Sequence, residues 1–231
     1  LSATAATTPA AGRARISRMV VPPACDGELA AAGDGDVASL ARAAGEGDVE
    51  RAAALVDGGA DVDAALPGGS CVAMHFAAVE GRAEMVALLL ARGADVEGGT
   101  RRGRETPLYL AAMFGHAAAA RRLLEGGAEA SRAGPGGASP LWIACYGGYV
   151  EAAGALVEGG ADVGQVSDTG STPLYIACQN GHVDVARLLI EKDADVGQAN
   201  NDGATPLFIA CQNGHVDVAR LLIEKGADVG Q

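Results

Sequence analysis

The sequence predicts an all-α solenoid of stacked helix–turn–helix units. Three observations predict it: segments recur every 33 or 34 residues, each carries apolar residues at helical spacing, and aromatic residues make up only 3% of the chain. Helices of two to three turns do not persist alone in water. The units must therefore bury their apolar stripes against neighbouring copies, which produces a linear array.

The repeat is clearest at the end of the chain. Residues 172–198 and 205–231 differ at two positions, and weaker copies begin at Ser139, Thr106 and Val72. A degenerate copy begins at Ala38. One glycine keeps the register in all six copies: Gly47, Gly81, Gly115, Gly148, Gly181 and Gly214.

Each copy is predicted to contain two helices. In the fifth copy, Thr172 can cap the first helix through its hydroxyl, and the proline that follows suits the first helical position. Gly181 suits the left-handed backbone that ends this helix. The second helix begins at His182 and carries a wide apolar stripe, with Asp184 favourably placed in its first turn.

The segments TPLYIACQNGHVDVARLLIEKDADV from Thr172 and TPLFIACQNGHVDVARLLIEKGADV from Thr205 resemble the ankyrin repeat, and the resemblance covers roughly residues 35–231. It implies an ankyrin-repeat solenoid of paired antiparallel helices, with hairpin-like loops projecting at right angles to them. It divides the domain into six repeats, at approximately 35–65, 66–99, 100–132, 133–165, 166–198 and 199–231. It also implies that partner proteins bind the loop tips and the concave face made by the first helices.

The chain departs from the family pattern in its TPLH box. Only His75 keeps the histidine, whereas Tyr109, Trp142, Tyr175 and Phe208 replace it in the later copies. We therefore expect apolar packing to replace part of the hydrogen bonding between neighbouring loops. The GADVN segment of the family becomes GADVG, so we do not expect asparagine hydroxylation at that position.

Residues 1–34 lie outside the array and are expected to form a disordered leader. The leader has arginines but no acidic residue before Asp26, which faintly resembles an organelle transit peptide. The chain begins at Leu1 and stops at Gln231 in full register. We expect the natural protein to continue beyond both ends, and the last copy to expose surface such as Leu221 and Leu222.

Composition excludes several classes of function. With 17 Lys+Arg against 29 Asp+Glu the net charge is −12, which argues against binding nucleic acid or an anionic membrane surface. No apolar run approaches the roughly 20 residues of a membrane-spanning helix, so no membrane insertion is expected. We expect an intracellular protein, cytoplasmic in the first instance, with buried, reduced cysteines.

No motif predicts catalysis, a cofactor or a metal site. The GxG segments at Gly33 and Gly45 lack the third glycine of a dinucleotide site, and the glycine-rich segment 134–137 lacks the ending of a phosphate loop. His116, His182 and His215 share one position in their copies, which indicates a structural hydrogen bond rather than a general base.

The cysteines also repeat. Cys145, Cys178 and Cys211 share one position, where earlier copies have Ala78 and Ala112. Stacked helices lie about 8–10 Å apart, whereas a disulfide needs Cα atoms within about 7 Å. We therefore predict three core thiols and neither a disulfide nor a shared zinc.

The candidate binding residues follow from the resemblance, which points the last two residues of each first helix toward the concave face. These residues are Glu46, Val79, Glu80, Met113, Phe114, Tyr146, Gly147, Gln179, Asn180, Gln212 and Asn213. In the middle copies, apolar and aromatic side chains at such positions are typical interface anchors, unless they pack onto the next copy. Arg101, Arg102 and Arg104 form a basic loop tip that could hold acidic partner residues or be simply solvated.

The sequence thus predicts a non-catalytic adaptor or scaffold that binds another protein and is itself monomeric. An alternative is a docking domain of a larger enzyme, ubiquitin ligase, kinase or channel whose active part lies outside residues 1–231. A scaffold that holds two partners at once would require both halves of the array to bind independently.

Overall fold

The computed structural model describes residues 33, 35–66, 71–98 and 105–230. Within these residues the chain forms helices in consecutive pairs, and no strand occurs among them. The pairs are α1 (Asp36–Glu46) with α2 (Val49–Asp57), α3 (Ala73–Val79) with α4 (Ala83–Ala91), α5 (Pro107–Met113) with α6 (Ala117–Glu125), α7 (Pro140–Gly147) with α8 (Val150–Glu158), α9 (Pro173–Asn180) with α10 (Val183–Glu191), and α11 (Pro206–Gln212) with α12 (Val216–Glu224).

The pairs stack into two layers. Each first helix packs against the first helices of the neighbouring pairs, and each second helix packs against the neighbouring second helices and its own partner. The shared core between the layers contains fully buried leucines such as Leu141 and Leu156. Alanines such as Ala77 and Ala111 have no exposed surface, so the first helices approach closely. This packing explains how a chain with few aromatic residues builds a continuous core, and it confirms the predicted solenoid.

Hydroxyl caps begin four of the first helices, as the sequence predicts. The side-chain oxygen of Thr172 accepts a hydrogen bond of 3.0 Å from the backbone N–H of Tyr175, and Pro173 occupies the first turn. The same arrangement recurs at Thr106, Ser139 and Thr205. Since a cap contributes about 1 kcal/mol, the repeated Thr/Ser-Pro pair fixes where each of these short helices starts.

Hydrogen bonds join neighbouring copies at two of the positions where another residue replaces the histidine of the TPLH box. The indole Nε1–H of Trp142 donates to the backbone oxygen of Ser171 at 3.1 Å, and Asn200 Nδ2 donates to Tyr175 Oη at 3.3 Å. Both contacts join one copy to the loop that precedes the next. At these two positions the substituted rings keep a hydrogen bond to the next loop, because indole and phenol carry polar atoms that reach it.

The last copy leaves a different surface open from the one predicted. Leu221 and Leu222 are buried, because they face into the core with α10 and α11. The exposed large apolar side chains of its described residues are instead Phe208, Val216, Ile223 and Val229. These side chains belong to the face that, one copy earlier, is covered by the following helix pair.

One residue other than glycine adopts a positive φ in the described part of the chain. Asp193, directly after α10, has φ 64°, and the equivalent Gly226 has φ 90°. Left-handed backbone costs a residue with a Cβ about 1–2 kcal/mol, and aspartate relieves only part of that cost. We therefore expect Asp193→Gly to raise the free energy of unfolding by about 0.5–1 kcal/mol, measured by urea denaturation. An unchanged or lower stability would contradict this.

The cysteines divide into three environments. Cys71 is disulfide-bonded, so the expectation of reduced thiols throughout is wrong there. Cys145 and Cys178 are free and buried, as predicted, and burial raises the pKa of Cys178 to about 12. Cys211 is free but exposed, contrary to prediction, because no helix pair covers it among the described residues.

Cys178 and Cys211 form a matched pair, since they share the local sequence IACQNGHVDVARLLIE. We expect Cys211 to react with a thiol-specific disulfide reagent in the folded protein, whereas Cys178 reacts only on opening, because the thiolate is the nucleophile and burial disfavours it. We also expect Cys178→Ser to cost about 1–3 kcal/mol, with Cys211→Ser nearly neutral. Equal reactivity of the two thiols would show that the last copy is not packed as described.

Candidate functional site

The candidate face consists of the side chains at the end of each first helix or directly after it, together with the tips of the loops between copies. Its side chains differ in exposure along the array. Exposed are Glu46, Glu80 and Gln212; half-buried are Val79, Phe114, Tyr146, Gly147, Gln179, Asn180 and Asn213; and Met113 is buried. All but Met113 therefore present some surface to a partner.

Met113 is 7% exposed, which is at odds with its assignment as a surface anchor. It is the last residue of α5, and its side chain belongs to the core that is shared with the neighbouring copy. A charged side chain at this position would disturb folding as well as binding. The accessible apolar part of the central face therefore consists of Phe114 and Tyr146, with Val79 beside them.

The two central aromatic rings are held in place. The Tyr146 ring stacks on Trp142 with centroids 6.0 Å apart and planes 6° apart. The Phe114 ring stacks on the His116 imidazole at 6.3 Å and 24°. Rings that are already packed in the free protein lose little side-chain entropy on binding, which favours affinity.

A series of hydrogen bonds joins each copy to the backbone of the one before it, at the edge of the candidate face. His116, His182 and His215 place Nε2 at 2.8, 3.1 and 3.0 Å from the carbonyl oxygens of Val79, Tyr146 and Gln179. A carbonyl only accepts, so Nε2 carries the proton in each ring. This confirms the structural role predicted for the repeated histidines.

Two asparagines strengthen the same series. Asn180 Nδ2 donates to the Tyr146 oxygen at 3.1 Å, and Asn213 Nδ2 donates to the Gln179 oxygen at 2.8 Å. In the second copy Arg82 takes the histidine position, and its Nε donates to the Gly45 oxygen at 3.0 Å. The backbone that carries the candidate side chains is thus fixed from the next copy.

Tyr149 is the exception in this series, and it was not among the residues predicted from the sequence. It occupies the histidine position of the fourth copy, where its ring lies directly over Gly115 and Gly147. It is 37% exposed, and the two glycines under its ring directly follow Phe114 and Tyr146 in the chain, so it belongs to the central part of the face. Its place in the register could have revealed it, because four of the other five copies have Arg or His there and the first has Asp48.

The described loop tips add carboxylates to the face. Asp168 and Asp202 are both exposed at loop tips, where Asn201 is the register equivalent of Asp168 and Asp202 follows it. The Asp168 backbone N–H donates to the Gly136 oxygen at 2.9 Å, and Asn201 Nδ2 donates to the Asp168 oxygen at 3.2 Å. The predicted basic tip with Arg101, Arg102 and Arg104 lies outside the described residues.

The described residues contain no group of three or more His, Cys, Asp or Glu side chains placed to hold a metal ion. Within the same part of the chain, no helix combines the length and apolar character that crossing a membrane requires. The arrangement on the candidate face is one of fixed rings, amides and carboxylates on a rigid backbone.

The stacked helix pairs, their Thr-Pro caps and the hydrogen bonds between copies agree with the comparison to known families. A family model of ankyrin repeats in three copies matches residues 97–167 and again 141–231, and the single ankyrin repeat model matches residues 71–99. The chain belongs to the ankyrin repeat family. No curated protein matches it. The family models begin at residue 71, whereas the ankyrin-type stacking of the structure already includes α1 and α2.

Ankyrin repeats are generally protein–protein interaction modules, and the family is typically non-catalytic. This general role fits the candidate face, which offers surface chemistry on a fixed scaffold. The stacking of ankyrin-type helix pairs also explains why the sequence analysis did not identify the carbonyl oxygens that the histidines contact. His116, His182 and His215 each contact a carbonyl oxygen of the previous copy, and no pattern within one repeat reveals such a contact.

Proposed function

We propose that this protein is a non-catalytic adaptor or scaffold that binds a partner protein on the candidate face. The observation that carries the proposal is the pair of half-buried aromatic rings, Phe114 and Tyr146, at the centre of that face. Val79, Glu80 and Tyr149 flank them, and Gln179, Asn180, Gln212 and Asn213 continue the face with polar groups. Arg101, Arg102 and Arg104 complete the proposed contact set.

Rigid docking is the mechanism that this arrangement supports. The rings are stacked and the backbone beneath them is hydrogen-bonded to the next copy, so the surface needs little ordering when a partner arrives. Tyrosine and phenylalanine are large, and their burial in a partner would release water from apolar area. The central copies supply anchors, and the amide-rich copies supply hydrogen-bonding groups.

The proposal predicts that Phe114→Glu combined with Tyr146→Glu weakens partner binding by at least about 2 kcal/mol, as expected when hot-spot anchors are lost. Affinity capture from host lysate with the wild type and with this variant would identify the partners that depend on the face, and calorimetry on the purified partner would give the change. Circular dichroism must show that the variant is folded.

Ile223→Glu is the matched control, because Ile223 is an exposed apolar residue of α12 outside the candidate face. We expect it to leave the same binding unchanged. Partners that bind the wild type and the double variant equally well would remove the candidate face from the proposal. Loss of binding with the Ile223→Glu control would instead place the contact on the open face of the last copy.

A further inference from the structure

The charged side chains among the described residues of the candidate face are carboxylates, and Arg82 at its edge is the nearest cation in the hydrogen-bond series. Glu46 ends the first helix of copy one and Glu80 directly follows that of copy two, whereas Asp168 and Asp202 are exposed at the loop tips of copies five and six. Glu46 has Arg51 at 4.0 Å, a distant and exposed pair. Among the described residues, no ion pair neutralises Glu80, Asp168 or Asp202.

The nearby described arginines already have partners. Arg82 Nε donates to the Gly45 oxygen at 3.0 Å, so that guanidinium is held against the backbone. Arg132 Nη1 contacts Glu97 Oε2 at 2.9 Å in an ion pair between neighbouring loops. The aromatic centre thus lies between carboxylates on both sides, in a chain whose net charge is −12.

The centre itself is suited to a side chain that combines apolar and cationic character. Phe114, Tyr146 and Tyr149 present ring surface there, and Gly147 adds no side chain between them. A guanidinium or ammonium group is attracted to the face of an aromatic ring, and its aliphatic stem can pack on the same surface. Nearby carboxylates add an attraction that steers a basic partner.

We infer that the partner surface is basic: a protein segment with Lys or Arg side chains around an aromatic or aliphatic anchor. The anchor and one cation occupy the Phe114–Tyr146–Tyr149 centre, and the flanking cations face Glu80 on one side and Asp168 and Asp202 on the other. This inference rests on the proposed function, since it specifies what binds to the same face.

Selection of phage-displayed random 12-residue peptides on the full chain tests the inference. We expect the enriched peptides to be rich in Lys, Arg and aromatic residues and poor in Asp and Glu. Their synthetic versions, measured by fluorescence anisotropy, should bind roughly 2–5-fold more weakly to Glu80→Lys, in line with single exposed charge pairs. They should also weaken as NaCl rises from 50 to 300 mM, because salt screens exposed charges.

Glu158→Lys is the matched control, since it makes the same change in net charge on the exposed surface of α8, away from the face. Equal weakening by Glu158→Lys and Glu80→Lys would overturn the inference, because overall charge rather than this face would then select the peptides. Enrichment of acidic peptides would also overturn it. Loss of those acidic peptides on Arg102→Glu would point to the basic loop tip instead.

The same selection separates this inference from the proposed function. Acidic or neutral peptides that bind the wild type but not Phe114→Ser would leave the face as the binding site and refute only the basic partner. Peptides whose binding is unchanged by both Phe114→Ser and Tyr149→Ser would refute the face as well. Basic peptides that are lost on both substitutions would support both proposals.

Discussion

Trp142→Ala should lower the free energy of unfolding by about 3–5 kcal/mol, the cost of deleting a large buried aromatic side chain. Trp142 is 3% exposed at the start of α7. Its indole N–H donates to the Ser171 oxygen in the loop before α9, and its ring supports Tyr146. One substitution would therefore remove core packing, a hydrogen bond between copies and the platform under a proposed anchor. Urea denaturation followed by circular dichroism measures the change.

Phe208→Ala is the control for this substitution, since Phe208 occupies the same register position in the last copy but is 49% exposed. We expect a loss of less than about 1 kcal/mol there, because little apolar area leaves the core. Losses of similar size at both positions would mean that exposure in the folded state does not determine their contributions. Trp142→Phe helps to separate the two effects, since it removes the N–H donor but keeps an aromatic ring in the core.

The array was predictable from the sequence because its signals are local and repeated. Thr172 and Pro173 mark a helix start, Gly181 marks its end, and the same signals recur 33 residues later. Each signal is weak alone, but a pattern repeated in register leaves few alternative folds. The capping by Thr172 and the left-handed Gly181 were correctly predicted for this reason.

Burial at the ends of the helices was less predictable, because it depends on neighbouring copies. Met113 is a residue type that is enriched at protein interfaces, yet its side chain packs into the core between copies. Cys178 and Cys211 have the same local sequence, but only Cys178 is covered by a following helix pair. A repeat pattern assigns both cysteines the same environment, whereas only one of them lies between two copies.

Hydrogen bonds between one copy and the next also could not be predicted from the sequence. The histidine position was recognised as structural, but its acceptor lies 36 or 37 residues earlier in the chain. Tyr149 illustrates the consequence. Because it stands at the histidine position, it changes both the surface of the candidate face and the contact with the previous copy. Affinity and stability are therefore expected to be coupled at this position.

Gly181→Ala should destabilise the protein more than Gly214→Ala, although both glycines lie in the sequence QNGHVDVARLLIE. Both have left-handed backbone, with φ 79° and 74°, so each substitution carries the same cost of about 1–2 kcal/mol. At Gly181 an added Cβ would also lie 2.6 Å from the imidazole Nδ1 of His215, whereas at Gly214 nothing lies within 4 Å. Displacing the ring would break its contact with the Gln179 oxygen, for a further loss of about 1–3 kcal/mol.

His215→Ala decides whether the imidazole causes this difference. Without the ring, an alanine at position 181 has room, so Gly181→Ala in the His215→Ala background should cost only what Gly214→Ala costs in the wild type. The double-mutant cycle isolates this pairwise coupling, and urea denaturation gives each free energy. Additive losses at positions 181 and 215 would show that the glycine is required for its own backbone alone. Coupled losses would show that the glycine is required for the close approach of the next copy, on which a rigid binding face depends.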